Sequence, residues 1–316
     1  MKPTFSCVIP TIGRKELNMK ALPSILNQVE PFDEVIIVND SPHELIICGL
    51  NNRNQIVTIR KTIGNEGGGK ARMLGVMESS CDYIVFLDDD DHLDLMYLKQ
   101  IKSLIIKKEP DLVFPTTIKK WTQGCIPDVR LKVITGMNDS DFIPLNQLNK
   151  IMVPTFSGLC VRRFHALKVD FNVPCFQDVY FVRKLTSVAL RVHYCREAQV
   201  YFNQHFSKDR MTNSFVTRIS NLSSEFSNSI FTKVEISNIA RSSYFSTFRA
   251  ECFNNGLLSG LNFLFANFTR LTKLSKNISF LSFWLNRASI INILVGLWLS
   301  ISRTLTFLKR KNESHK

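Results

Sequence analysis

A chain of 316 residues is long for one domain and short for three, so one large domain with an appendage is expected. Its 45% hydrophobic content is enough for a buried core, and its formal net charge is +13. Residues 216–316 hold 13 Lys and Arg against 4 Asp and Glu, whereas residues 1–215 hold 27 against 23. A basic tail of this kind suits nucleic acid or an anionic membrane surface, and composition does not choose between them.

The eight cysteines form no Cys-x-x-Cys pair, and no histidine spacing is typical of a zinc site. Cys7 and Cys160 lie in apolar runs, which favours reduced structural thiols and a cytoplasmic protein. The first residues, "MKPTFSCVIPTIGR", have too short an apolar run for a signal peptide.

Strand and helix patterns alternate over the first hundred residues. Strands are predicted in "FSCVIP", "DEVIIVND", "NQIVTIRKT" and "DYIVFLDDDD", and helices in "ELNMKALPSILNQ" and "GGKARMLGVMESS". This order predicts an α/β fold with a mostly parallel sheet flanked by helices, in which ligands bind at the carboxyl ends of the strands. Those ends carry Pro10–Thr11, Asn39–Asp40 and Asp88–Asp91, so the three polar clusters predict a single site.

The composition and the apolar pattern of the sequence change near residue 215. Before it, "DLVFPTTIKKW" and "LRVHYCREAQVYFNQH" predict strands and "DVYFVRKLTSVA" a helix, which completes a catalytic domain over residues 1–215. Residues 216–316 form a basic, apolar region in which leucine and other apolar residues recur at helical steps of three and four. This stripe comprises Leu257, Leu261, Leu264, Phe268, Leu271, Leu274, Ile278, Leu281 and Leu285.

Two interpretations of the four carboxylates at Asp88–Asp91 stay open on the residues alone. Adjacent like charges repel unless a cation or solvent relieves them, and oxygen-rich clusters suit Mg²⁺ or Mn²⁺. Alternatively, the cluster is a solvated acidic turn that caps a helix in "HLDLMYLKQIKSLII".

The stretch "GNEGGGKARMLG" resembles a phosphate-binding P-loop, with Lys70 as its cation. However, Ala71 stands where a hydroxyl should bind magnesium, and "TIRKTI" is too polar for the buried strand that feeds such a loop. A sugar-transfer enzyme is favoured instead, with Asp88 and Asp90 forming a D-x-D motif that holds a metal on a nucleotide-sugar diphosphate.

Several ordered motifs resemble the inverting glycosyltransferases of family 2, which have the GT-A fold. They are "CVIPTIGR", "EVIIVNDSP", "GNEGGGKARMLGV" with Met73 where Asn is usual, "YIVFLDDDD", and "CFQDVYFVRKL" with Gln177 where Glu is common. The resemblance covers about residues 5–210. It implies an enzyme, a nucleotide-sugar donor and Mn²⁺ or Mg²⁺ as cofactor.

The same resemblance assigns roles to individual residues. Asp178 would be the catalytic base, and Asp90, with His205, would bind the metal. The donor would be contacted by Pro10, Thr11, Asp40, Arg72, Asp88, Asp89 and Gly158.

Four of these roles have a structural alternative. Asp40 would cap the "NDSP" turn, Arg72 would be a solvated helix residue, Asp178 an acid favoured by a helix N-terminus, and His205 a structural histidine. Rival bases are Asp128, Asp139 and Asp141.

The resemblance implies hexosyl transfer from a nucleotide sugar, expected to be a UDP-sugar, to a lipid-linked oligosaccharide or polysaccharide in lipopolysaccharide O-antigen or capsule synthesis. Trp284, Trp298 and the basic run Lys309–Lys311 predict peripheral association with the inner face of the cytoplasmic membrane. The 15 uncharged residues between Arg287 and Arg303 are too few for a clear membrane span. The alternatives are a catalytically impaired sugar-nucleotide-binding homologue and a basic nucleic-acid-binding protein; the acidic strand ends argue against the latter, so no nucleic-acid partner is expected.

Overall fold

The computed structural model of the chain divides into two compact units, Met1–His205 and Phe206–Lys316. It describes residues 2–48, 56–64, 66–121, 124–127, 155–170, 173, 177–186, 191–203, 244, 248, 251–252 and 257–274.

The first unit alternates strands and helices along most of its length. A π-helical turn over Leu17–Ala21 continues directly into the first α-helix, which begins at Leu22. The strands are β1 (Phe5–Thr11), β2 (Glu34–Asn39), β3 (Ile56–Lys61), β4 (Tyr83–Phe86), β5 (His92–Leu93), β6 (Leu112–Trp121), β7 (Gly124–Pro127), β8 (Cys160–Arg162) and β9 (Val192–Asn203). The helices are α1 (Leu22–Leu26), α2 (Gly68–Glu78), α3 (Tyr97–Lys108), α4 (Arg163–Ala166) and α5 (Gln177–Thr186).

One mixed sheet joins these strands in the order β3-β2-β1-β4-β8-β6-β9-β5, with β7 paired to β6. Strands β1 to β4 run parallel to one another, and β6 runs parallel to β9. The short β8 lies antiparallel between β4 and β6, an insertion that the sequence pattern did not predict. The carboxyl ends of β1, β2 and β4 therefore meet at one edge of the sheet.

Helices cover both faces of the sheet because successive strand residues point to opposite sides. In β1, Val8 packs with residues of α2 and α5 on one face. Its neighbours Cys7 and Ile9 pack with residues of α1 and α3 on the other. Burial on both faces explains why the central strands read as continuous apolar runs.

The segment after the acidic cluster differs from its helical prediction. His92 and Leu93 form β5 and pair with Tyr201 and Val200 of β9, and α3 begins only at Tyr97. Asp88–Asp91 therefore do not cap that helix. The alternative of a solvated acidic turn is wrong as well, because three of the four carboxylates are buried.

In the second unit, the predicted helical stripe lies partly in α6, Leu257–Leu274. Tyr244, Phe248 and Cys252 are buried, whereas Leu258 and Phe265 are exposed. Ile278, Leu281, Leu285, Trp284, Trp298 and the basic run at 309–311 lie outside the described residues. Among the residues that are described, no helix is both long and apolar enough to cross a membrane.

Candidate active site

Thr11 connects the carboxyl ends of three strands. Its carbonyl accepts a hydrogen bond from the backbone N–H of Asp40 at 2.8 Å, which ties β1 to the end of β2. Its hydroxyl donates to Asp89 Oδ2 at 2.7 Å, which ties β1 to the segment after β4. Pro10 lies one residue earlier and is buried within β1 beside Val38 of β2. The structure thus brings the three predicted polar clusters together.

Asp40 is almost fully buried and organises the glycine-rich segment before α2. Its Oδ1 accepts hydrogen bonds from Thr62 Oγ1 at 2.5 Å and from the backbone N–H of Glu66 at 2.9 Å. Its Oδ2 accepts from the backbone N–H of Gly67 at 2.7 Å. A carboxylate has about four acceptor positions, so these three hydrogen bonds from described residues leave Asp40 one further position. The "NDSP" turn itself is capped by Asn39, whose Oδ1 accepts from the N–H of Ser41.

Each carboxylate of the acidic cluster has a different environment. Asp88 accepts a hydrogen bond from Arg72, and Asp89 accepts one from Arg14 at 3.0 Å in addition to that from Thr11. Asp90 Oδ2 lies 3.5 Å from the same Arg14 nitrogen. The fourth residue, Asp91, is fully buried, and its carboxylate accepts from Ser157 Oγ at 2.5 Å and from the backbone N–H of Asn203 at 2.9 Å.

Burial shifts the proton equilibria of two of these groups. It raises the pKa of Asp89 from 3.8 to about 6, against the opposing effects of Arg14 and the Thr11 hydroxyl. Burial also raises the pKa of Asp91 well above its ordinary value, and the charges of Asp90 and Asp88 act in the same direction. Desolvation disfavours an ionised carboxyl, so Asp89 and Asp91 resist carrying full negative charge. Asp88 is the most accessible acid, with 26% of its side chain exposed.

Arg72 connects the acidic cluster to α5. One guanidinium nitrogen donates to Asp88 Oδ1 at 2.5 Å and the other donates to Gln177 Oε1 at 3.0 Å. The guanidinium also lies over the ring of Phe156, 4.4 Å from its centroid, and its buried Nε has no hydrogen-bond partner in the described structure. Only 10% of the side chain is exposed, so the solvated-helix alternative for Arg72 is wrong.

Asp178 lies in the first turn of α5, directly after the residue that Arg72 contacts. Its Oδ1 accepts a hydrogen bond from the backbone N–H of Val179 at 2.9 Å. The residue is partly exposed, which is compatible with its predicted role as a base. Gln177, the departure from the family motif, keeps an acceptor oxygen for Arg72.

Gly158 lies in the loop that crosses the carboxyl end of β4. Its N–H donates to the carbonyl of Phe86 at 2.8 Å, and its carbonyl accepts from the hydroxyl of Tyr97 at 2.5 Å. Its φ of +78° falls in the left-handed region that favours glycine. The position therefore braces the strand end that carries the acidic cluster.

Arg14 is a cationic member of the site to which sequence reasoning gave no role. It closes the motif "CVIPTIGR", and only its position three residues after Thr11 at a strand end could have drawn attention to it. By contrast Lys70, the cation of the apparent P-loop, forms an ion pair with Glu66 one helical turn earlier.

The donor set fits a divalent cation that shares its coordination with a substrate. Mg²⁺ is commonly held by one or two carboxylates together with substrate phosphates and water. Asp90 and the accessible Asp88 offer two carboxylates at the strand end. Within the described part of the chain, no group of three or more His, Cys, Asp or Glu side chains forms a complete metal site. His205 and the rival bases Asp128, Asp139 and Asp141 lie outside the described residues.

Curated relatives resemble this chain over different lengths. An uncharacterized glycosyltransferase of Haemophilus influenzae is 33% identical over 65% of this chain and 77% of its own length. An uncharacterized glycosyltransferase of Rickettsia bellii is 37% identical over 27% of this chain, and the match spans 13% of that relative. A poly(ribitol-phosphate) beta-glucosyltransferase of Bacillus spizizenii is 30% identical over 48% of this chain and 27% of its own length.

Two solved structures share the fold at low identity. Residues 1–349 of TarS from S. aureus, in complex with UDP-GlcNAc, superimpose with a TM-score of 0.53 at 15% identity over 96% of this chain and 92% of that chain. The mannosyltransferase PcManGT from Pyrobaculum calidifontis, in complex with GDP-Man and Mn²⁺, gives 0.54 at 13% identity over 98% and 88%.

The model of glycosyl transferase family 2 matches residues 6–168, which is more than half of the chain and includes the strand ends described above. The protein therefore belongs to glycosyl transferase family 2, and both the α/β GT-A fold and the transferase activity predicted from the sequence are confirmed.

Proposed function

We propose that the protein is a metal-dependent inverting glycosyltransferase that moves a hexose from a UDP-sugar to a polysaccharide or lipid-linked oligosaccharide acceptor. The single observation that carries this proposal is the convergence of Thr11, Asp40 and the acidic cluster at one edge of the sheet, with Arg72 reaching from the cluster to α5. That arrangement supports the proposal, because it connects the residues proposed to bind the donor with the helix that carries the proposed base.

The donor side of the site rests on Asp40, Thr11 and the carboxylates after β4. Asp40, with one acceptor position left, would accept a hydrogen bond from the nucleobase beside the end of β1. Asp88 and Asp90 would hold a divalent cation against the diphosphate. When bound, such a cation supplies positive charge that stabilises the leaving diphosphate.

Asp178 acts on the acceptor side. Inversion in one displacement needs a base that takes the proton of the acceptor hydroxyl while that oxygen attacks the anomeric carbon. The hydroxyl oxygen forms the new glycosidic bond, and the nucleoside diphosphate leaves with the electron pair of the old one. Arg72 holds the start of α5 through Gln177, so it positions Asp178 relative to the donor.

The relatives support a polymer as the acceptor. The name of one relative specifies glucosyl transfer to poly(ribitol-phosphate), and TarS was solved with UDP-GlcNAc. We include cell-surface glycans and polyol phosphates of this kind among the candidate acceptors. Synthesis of lipopolysaccharide or capsule at the inner membrane face, with the basic residues 216–316 lying on anionic lipid, remains part of the proposal.

The decisive experiment measures nucleotide release and sugar transfer over a panel of UDP- and GDP-sugars, with Mn²⁺, Mg²⁺ or EDTA. Asp90→Asn should remove metal-dependent turnover. Asp178→Asn should lower transfer by about 10²–10⁴-fold, the range of general base catalysis, and leave donor affinity unchanged. Asp82→Asn is a matched control, because Asp82 bonds to Thr4 at the opposite end of β4.

Two results would overturn the assignment. Normal transfer by the Asp178→Asn enzyme would mean that another group is the base. Donor binding without turnover on any acceptor would favour the catalytically impaired homologue.

A further inference from the structure

Arg14 occupies the position between two carboxylates of the acidic cluster. Its NH1 lies 3.0 Å from Asp89 Oδ1 and 3.5 Å from Asp90 Oδ2, so one nitrogen is shared by both groups. The Asp90 carboxylate is the principal candidate metal ligand. A cation at this distance from Asp90 Oδ2 repels a second cation that approaches the same oxygen.

The turn after β1 is built to hold Arg14 in this place. Gly13 has φ +83°, which reverses the chain direction, and its N–H donates to Thr11 Oγ1 at 3.0 Å. The same hydroxyl donates to Asp89, so the turn and the acidic cluster are fixed to each other. On the far side, the carbonyl of Arg14 accepts from the N–H of Leu17 at 3.2 Å.

The charge of the cluster shows what Arg14 contributes. Four consecutive carboxylates are crowded into one turn, and in the described part of the chain two arginines form ion pairs with them. Arg72 forms an ion pair with Asp88, and Arg14 forms ion pairs with both Asp89 and Asp90. Arg72 is also held by Gln177 and Phe156, whereas the Arg14 side chain is 33% exposed and its ion pairs with described residues are confined to the cluster. Arg14 is therefore the cation that can leave the cluster.

We propose that Arg14 is a counter-ion gate: it neutralises Asp89 and Asp90 before the donor binds, and it releases them to a divalent cation when a diphosphate offers its guanidinium new acceptors. This inference rests on the proposed function. A guanidinium forms paired hydrogen bonds with phosphate oxygens as readily as with carboxylates. Metal and donor then bind cooperatively, because each removes an unfavourable interaction that the other would meet alone.

Binding of Mn²⁺, measured by the paramagnetic resonance signal of the free ion, tests the gate without any turnover. Titrations are run on the full chain with and without UDP, for the wild type, Arg14→Met and Arg14→Lys. Without UDP, Arg14→Met should bind Mn²⁺ about 10-fold more tightly than the wild type, because a neighbouring positive charge has gone. Addition of UDP should strengthen Mn²⁺ binding in the wild type and do so less in Arg14→Met. Arg14→Lys keeps the charge and should behave more like the wild type.

Two further variants locate the effect. Arg60→Met removes an arginine that pairs with Glu78 on the surface, and it should leave Mn²⁺ binding unchanged. Adding Asp90→Asn to Arg14→Met should abolish the gain in affinity. Both results support the gate, and a gain that survives the second substitution would refute it.

An unchanged or weaker affinity of Arg14→Met for Mn²⁺ without UDP would overturn the inference. If the wild type still transfers sugar in that case, the proposed function stands and only the gate falls. If Arg14→Met gains affinity while no donor is ever used, the counter-ion role stands and the proposed function falls. Should Arg14→Met fail to fold, Arg14→Gln replaces it, and equal Mn²⁺ affinity of Arg14→Gln and Arg14→Lys would refute the gate.

Discussion

The substitution Gly158→Ala tests how closely the loop before β8 is fitted against the strand end of the acidic cluster. Gly158 has φ +78°, and a left-handed backbone costs a non-glycine residue about 1–2 kcal/mol. A Cβ there would also lie 2.9 Å from Pro115 Cγ and 3.0 Å from Val200 Cβ, and both of these atoms belong to the sheet. Overpacking of this kind costs about 1–3 kcal/mol.

Alanine offsets about 0.4–1 kcal/mol of this destabilisation, because it lowers the conformational entropy of the unfolded chain relative to glycine. The expected loss in the free energy of opening is therefore about 2–4 kcal/mol. Hydrogen exchange of amides in β4 and β8 measures that free energy in the region concerned. Because the N–H of Gly158 bonds to Phe86, amides near the end of β4 should lose the most protection.

Two other glycines separate the backbone cost from the packing cost. Gly67 has φ +95°, but no described atom lies within 4 Å of the position that a Cβ would take, so Gly67→Ala should show only the backbone cost. Gly75 lies inside α2 and its φ is not left-handed, but a Cβ would lie 2.4 Å from Val8 Cγ1. Gly75→Ala should therefore show the packing cost, reduced by alanine's gain in helix propensity of about 1 kcal/mol. If Gly158→Ala costs no more than Gly67→Ala, the close fit against Pro115 and Val200 is wrong.

Three other predictions concern charge and position. In the metal-free protein, the raised pKa of Asp89 means that the folded state keeps a proton which the unfolded chain loses. The stabilisation from this proton is complete below about pH 4 and is lost as the pH rises to about 6. In urea denaturation at several pH values, Asp89→Asn should therefore flatten the dependence of the free energy of unfolding on pH. Gln177→Met removes an acceptor of Arg72 and should lower kcat about 10-fold with a smaller change in donor KM, whereas Gln177→Glu should retain near-normal kcat. Equal kcat in the wild type and both variants would refute the positioning role of Arg72. Flotation with anionic liposomes should recover the full chain but not a chain truncated after residue 250, and equal recovery would remove the membrane proposal.

The local pattern of apolar and polar residues was sufficient to predict most of the parallel strands. The strands β1, β2 and β4 are continuous apolar runs that end in polar residues, so both their existence and the edge they share follow from the sequence. The pattern failed at β5 and β8, which have only two and three residues. Strands of that length carry no periodicity, and they exist because β4, β6 and β9 offer hydrogen-bonding edges to them.

Residue types at strand ends predicted which side chains gather at the site, but not how they are paired. Arg72 meets Gln177 across 105 positions of sequence, and Thr11 meets Asp89 across 78. Such contacts depend on the stacking of whole elements, which a motif does not encode. Arg14 was missed for the same reason, since nothing local distinguishes an arginine that reaches a carboxylate from one that is solvated.

The departure of Gln177 from the family motif has a physical account in the Arg72 contact. A glutamate at 177 would give the buried guanidinium a second carboxylate besides Asp88. Glutamine supplies the same acceptor oxygen without the charge, so the Arg72–Asp88 ion pair stays balanced where the side chain is 10% exposed. Glutamine at 177 thus preserves the contact that connects Arg72 to the start of α5.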